Sequence, residues 1–136
     1  MEQNKLAHAS FTISGDKVIP DFWTEYFEIQ PDMARRKGDP FTTKHGRVIQ
    51  TWTGVWGVQS KREIQSDALE PHLRYLIQHL ALPRSDLRSL IENVGAKMRF
   101  FCYWSNETGD RIPDVPEDIQ AMMDALGGIV EIDEYR

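Results

Sequence analysis

The chain is short of cysteine, of long apolar runs and of glycine-rich loops, and each shortage closes off a class of function. A single cysteine, Cys102, in 136 residues excludes an internal disulfide and a cysteine cage for zinc. It lies in an apolar, strand-like run, where a thiol behaves as a small buried hydrophobe. No stretch approaches the roughly 18 apolar residues that a membrane span needs. Met1-Glu2-Gln3-Asn4-Lys5 has neither the basic region nor the apolar segment of a secretion signal, so a cytoplasmic protein is expected. Glycines occur singly or as Gly127-Gly128, with neither a P-loop nor a dinucleotide fingerprint, and no cofactor is expected. Linkers and low-complexity tracts are lacking too. The length fits one domain over residues 1–136, since independent cores occupy roughly 100–200 residues.

What is present is, first, an uneven charge. The net charge is −5, yet Met33 to Arg62 carries seven basic side chains against Asp39, while Glu107 to Arg136 carries nine acids against Arg111 and Arg136. Either both segments are solvated surface that partly complement each other, or a basic face meets an anionic partner and an acidic face a cationic one.

Second, one phrase occurs twice. Phe11-Thr12-Ile13-Ser14 runs into Gly15-Asp16-Lys17-Val18-Ile19-Pro20-Asp21 and an amphipathic stretch; Phe101-Cys102-Tyr103-Trp104 leads to Gly109-Asp110-Arg111-Ile112-Pro113-Asp114 and another. Each copy reads as strand, turn and helix.

Along the chain, His8 to Ser14 alternates with Ala9, Phe11 and Ile13 on one side, which predicts a half-buried strand. Pro20-Asp21 opens a helix with Trp23, Tyr26 and Phe27 on one face, ended by Pro31. Met33 to Lys37 reads as a short edge strand and Phe41 to Gly46 as loop. Arg47 to Ser60, rich in Val, Ile, Thr and Trp, reads as strand, either a hairpin turning at Thr53-Gly54 or one long strand bulged at Gly54. Ser66 and Asp67 offer caps for a helix carrying Leu69, Leu73, Leu76, Ile77 and Leu80, with Pro71 held to its first turn. Pro83 breaks that helix. Ser85 is read as the cap of the next, with Leu87, Leu90, Ile91 and Val94 in its stripe and Gly95 at its end.

Met98, Phe100, Cys102 and Trp104 then share one face of a strand, with Phe101 and Tyr103 on the other. Asp114-Val115-Pro116-Glu117 has capping-box spacing for a helix burying Ile119, Met122, Met123 and Leu126, and Ile129 to Tyr135 is a final strand. The expected fold is therefore α+β. It is a ferredoxin-like sandwich of two βαβ-like halves with an extra helical pair between them, its mixed or antiparallel sheet carrying helices mainly on one face.

These residues also resemble a bacterial family known as domain of unknown function 4279, over about Ala9 to Tyr135. The matching pieces are the strand with Gly15-Asp16, the Arg36-Lys37-Gly38 turn, Gly54-Val55-Trp56-Gly57-Val58, Leu69-Glu70-Pro71-His72-Leu73, Phe101-Cys102-Tyr103-Trp104-Ser105 and Leu126-Gly127 to Asp133-Glu134-Tyr135. Pro71 stands where the family more often has a charged residue. The resemblance implies a small soluble protein and brings no catalytic residues.

Chemistry is sparse. His72 and His79 are seven residues apart, about 10.5 Å along a helix, too far to share an ion, and His8 and His45 have no ligand at chelating distance in sequence, so no metal site is expected. Neither Ser60 nor Ser105 sits in a Gly-x-Ser-x-Gly elbow. An enzyme would need convergent titratable groups, such as His45 bound to a buried carboxylate in a cleft, and the sequence supplies no such set.

The candidate ligand-binding set is Arg35, Arg36, Lys37, His45 and Arg47, with Lys44 nearby and Trp56 or Trp52 to stack on. Guanidinium forks grip carboxylate or phosphate and indoles stack on rings. Against that stands the reading of the tryptophans as core residues and the cations as an ordinary turn. The acidic whole argues against nucleic acid.

The expected function is a non-enzymatic protein-interaction module of immunity or adaptor type, with a domain that binds a small anionic ligand or regulates as the alternative. A sheet with helices on one side leaves a second face, for which Phe101, Tyr103, Val55 and Trp52 or Trp56 are candidates, and a homodimer through it is one expected use.

Overall fold

The computed structural model describes residues 6–136, so the Met1–Lys5 start read above for a secretion signal lies outside the described residues. β1 (Ala7–Gly15) is the central strand, and its alternation holds: Ala7, Ala9, Phe11 and Ile13 are fully buried on one face. α1 (Pro20–Phe27) starts on a proline, whose missing N–H costs nothing in a first turn, and ends at Glu28 in the left-handed region. β2 (Met33–Arg35) is a short edge strand, as expected.

The next segment departs from expectation. β3 (Pro40–Thr42) and β4 (Val48–Gln50) pair with each other as a separate antiparallel ribbon, so part of the expected loop at Phe41 to Gly46 is strand. Residues 47–60 are accordingly neither a Thr53-Gly54 hairpin nor one bulged strand. The ribbon closes where Gly38 N–H reaches the Thr51 carbonyl (2.8 Å) and Thr51 N–H reaches Asp39 (2.7 Å). The chain bends at 52–53, and β5 (Gly54–Gln59) enters the main sheet. Gly54 is there because a Cβ would sit 2.8 Å from the Gly15 carbonyl oxygen and 2.9 Å from that of Val18.

α2 (Leu69–Leu80) tolerates Pro71 inside its first turn. α3 (Leu87–Asn93), β6 (Lys97–Ser105), α4 (Glu117–Leu126) and β7 (Ile129–Tyr135) complete the chain. The sheet order is β2-β5-β1-β6-β7, with β1 antiparallel to both neighbours and β6 parallel to β7. Both expected βαβ units exist in different forms. In the first, β5 is inserted between β1 and β2, giving a split βαβ; in the second, β6 and β7 are adjacent. The class is α+β with a mixed sheet. Inward residues of β1, β5 and β6 join buried residues of all four helices in one cluster, which places the helices on one face.

The expected caps of three helices are overturned. Asp114 does not open α4, whose N-cap is Pro116 with no side-chain cap bond. Its carboxylate instead accepts the first free amides of α2, from Leu69 (2.7 Å) and Glu70 (2.9 Å). Arg111 holds that loop in place by stacking on Trp104 at 4.0 Å and donating to the Asp67 carbonyl. Ser85 caps nothing. The N-cap of α3 is Asp86, also without a side-chain cap bond, and its carboxylate accepts the Tyr26 hydroxyl at 2.6 Å. Neither Ser66 nor Asp67 caps α2: its N-cap is Ala68, without a side-chain cap bond, and Ser66 accepts the Ala68 amide at 3.1 Å just ahead of the helix.

Candidate functional site

The basic residues singled out in sequence lie along the β3–β4 ribbon and its base. Arg35 projects from β2 and lays its guanidinium over the Phe41 ring at 4.1 Å. Lys37 is tied to Asp16 at 2.9 Å, and that bond with the Thr53 hydroxyl holds the Asp16 carboxyl below its ordinary range. Arg36, His45 and Arg47 are exposed, with His45 in the turn between the ribbon strands. Trp56 leaves this group altogether. It is 0% exposed, stacked on Phe27 at 5.0 Å, and its indole N–H donates to the Thr24 hydroxyl at 3.0 Å. Trp52, by contrast, is 88% exposed on the bend after β4.

The opposite face of the sheet is built from the outward residues of the same strands. Central β1 contributes the small side chains Ser10, Thr12 and Ser14, with Gly57 of β5 in register beside Thr12, and Arg99 reaches over Thr12 (Nε to Oγ1, 3.4 Å), which leaves that threonine buried. Beside it stands an aromatic ladder. The His8 ring stacks on Tyr103 at 4.7 Å and 5°, and Tyr103 meets Tyr135 at 5.1 Å. Arg99 caps Phe101 at 4.7 Å and pairs with Glu131 at 2.9 Å. Burial first, then the charges of Lys61 and His72, pushes the His8 pKa down, so this rung is uncharged at neutral pH. Phe101, Tyr103 and Val55 thus occupy the second face, as expected; Trp52 and Trp56 do not. No described helix packs there, since the helices share the opposite face.

Two arrangements escaped the sequence reading. Ser60 and His72 meet at 2.7 Å, Oγ to Nδ1, the spacing of a nucleophile and its base. His72 Nε2 faces the Ser66 carbonyl at 2.9 Å and so carries the proton, which leaves Nδ1 to accept the serine hydroxyl. Ser60 Oγ also accepts the Ala9 amide at 3.0 Å. Both residues are 0% exposed, so the pair pins α2 to β1 rather than meeting a substrate. Burial pushes the His72 pKa down. Beyond β5, a groove of about 350 Å³ is lined by Gln30, Asp32, Gln59, Arg62, Glu63, Tyr75 and His79. Tyr75 and His79 stack at 5.2 Å, and burial together with the charges of Glu63 and Asp32 raises the Tyr75 phenol. The Tyr75–His79 spacing of one helical turn was the legible signal for this groove.

Among the described residues, no group of three or more His, Cys, Asp or Glu could hold a metal ion, and no helix is long and apolar enough to cross a membrane. The Cys102 thiol is buried and pushed up to about 12 by that burial and by Asp114, which keeps it protonated and unreactive. In comparisons with known proteins, the family model described as domain of unknown function (DUF4279) matches residues 4–136. No curated protein and no solved structure matches.

Proposed function

Because the chain belongs to the domain of unknown function (DUF4279) family, a membership that carries no activity, we propose its function from geometry. It is a non-enzymatic protein-interaction module of the adaptor or immunity kind, and it grips a protein partner with the helix-free face of its sheet. The observation that carries this reading is the His8–Tyr103–Tyr135 ladder with Arg99 and Phe101 beside it. Tyrosine and arginine are the side chains that dominate interface energetics, because they bury large area at low entropic cost and still satisfy a polar tip. The sealing of the Ser60–His72 pair supports a role without catalysis.

Cross-linking and affinity capture from host extract, with the partner identified and its affinity measured, tests the reading. Tyr103→Ala, the centre of the ladder, should weaken that affinity by about 30-fold, the loss of one interface hot spot. An affinity unchanged in folded Tyr103→Ala removes this face from the proposal. Absence of any partner at low salt removes the interaction reading itself. Sedimentation of the purified chain separates a second copy, the homodimer reading, from a foreign protein.

A second reading, binding of a small anionic ligand at the ribbon, is favoured by the exposure of Trp52 at its base and by Arg36, Lys44 and Arg47, whose side chains bond to no described residue. A thermal-shift panel of phosphates and nucleotides with Arg36→Ala as control tests it, and flat curves throughout count against it.

A further inference from the structure

Among the described residues, β7 is the long edge of the sheet, seven residues paired on one side only. The Tyr135 carbonyl accepts the Asn106 amide at 2.6 Å, on the β6 side of the strand. Strand residues alternate the side to which their N–H and C=O point, so those of Val130, Ile132 and Glu134 point outward, where no strand pairs with them. Exposed edges are ordinarily blunted by proline, lysine or a bulge. β7 has none of these. Its side chains are acidic instead: Glu131 and Asp133 on the helix-free face, Glu134 on the other.

Arg99 pairs with Glu131 and Arg136 with Glu134, and among the described residues Asp133 accepts the Tyr135 hydroxyl alone. Residues 107–136 as a whole keep nine carboxylates against two arginines. Two β7 edges brought together would oppose carboxylate to carboxylate, which disfavours a second copy. The same carboxylates attract lysine or arginine at alternate positions of an added strand. Between those positions, the half-buried Val130 and Ile132 offer apolar contact on the other face.

We infer that the β7 edge receives an extended basic segment of a partner protein, added as a sixth strand with cations over Glu131 and Asp133 and apolar side chains beside Val130 and Ile132. This rests on the interaction-module reading but not on the Tyr103 face.

The test is fluorescence anisotropy with a labelled short peptide alternating lysine and valine, read against an alternating glutamate and valine peptide. The lysine peptide should bind saturably and the glutamate peptide should not. Ile132→Pro removes an outward N–H without touching the β6 ladder and should abolish binding while circular dichroism stays native. Glu131→Lys with Asp133→Lys should weaken binding about tenfold, the worth of two cross-strand charge pairs. Partner capture that Tyr103→Ala weakens and Ile132→Pro leaves intact would assign that partner to the sheet face alone and overturn the inference. Equal binding of the two peptides, full binding to native-like Ile132→Pro, or no binding at low salt overturns the inference. Dimers that Ile132→Pro dissolves would assign the edge to a second copy and overturn it as well.

Discussion

Replacing Asp114 by alanine should destabilise a helix whose first turn, at Glu70, lies 44 residues earlier in the chain. Its two oxygens accept the Leu69 and Glu70 amides, which otherwise have no acceptor at the start of α2. Loss of such a cap costs roughly 0.5–2 kcal/mol. Loss of a negative charge at the positive end of the helix dipole adds about 0.3–1 kcal/mol. The sum is about 2 kcal/mol, which lowers the melting temperature of a domain of this size by roughly 6–8 °C. Urea unfolding at neutral pH reads the energy, and amide exchange reads the place: Leu69 and Glu70 should lose protection before the rest of α2. Glu117→Ala is the control. If Asp114 and Glu117 formed a capping box on α4, the two variants would cost the same and would couple in the double mutant. In the observed geometry Glu117→Ala stays within about 0.5 kcal/mol and adds independently. Equal costs, or protection lost at the start of α4 instead, refute the assignment.

The neutral His72 makes stability fall in mild acid. Its folded pKa lies below the 6.5 of an exposed imidazole, so the unfolded chain takes up the proton first and stability is lost as pH drops below 6.5. Urea midpoints should fall at a slope approaching about 1.4 kcal/mol per pH unit for one proton. His72→Gln should flatten that slope, leaving the share of His8, whose pKa is lowered as well. A slope unchanged in His72→Gln contradicts the reading. Gly54→Ala should destabilise by about 2 kcal/mol, because the added methyl meets two backbone carbonyl oxygens that have no freedom to retreat. A neutral result by thermal melting would mean that β1 and β5 part more easily than their pairing suggests.

Much of the candidate interaction surface was readable from alternation. Phe101 and Tyr103 against Phe100 and Cys102, and Ser10, Thr12 and Ser14 against Phe11 and Ile13, assign two faces by their period alone. Legibility ended where a partner lies far along the chain. Nothing near Trp56 shows whether its indole faces solvent or Phe27, and the cations around residue 36 read the same on a ribbon as on a loop. The Tyr103–Tyr135 contact needs β7 beside β6, and the Ser60–His72 bond needs α2 laid over β1.

Local pattern thus decided which segments are strand or helix and which side of each is apolar, because side-chain period and backbone propensity act within a few residues. The order β2-β5-β1-β6-β7, the insertion of β5 into the first βαβ unit, the separate ribbon and the choice of α2 as the helix that Asp114 caps were decided by the folded chain. Each is a competition among distant segments for the same donors, acceptors and apolar surface, and only their simultaneous packing shows which one wins.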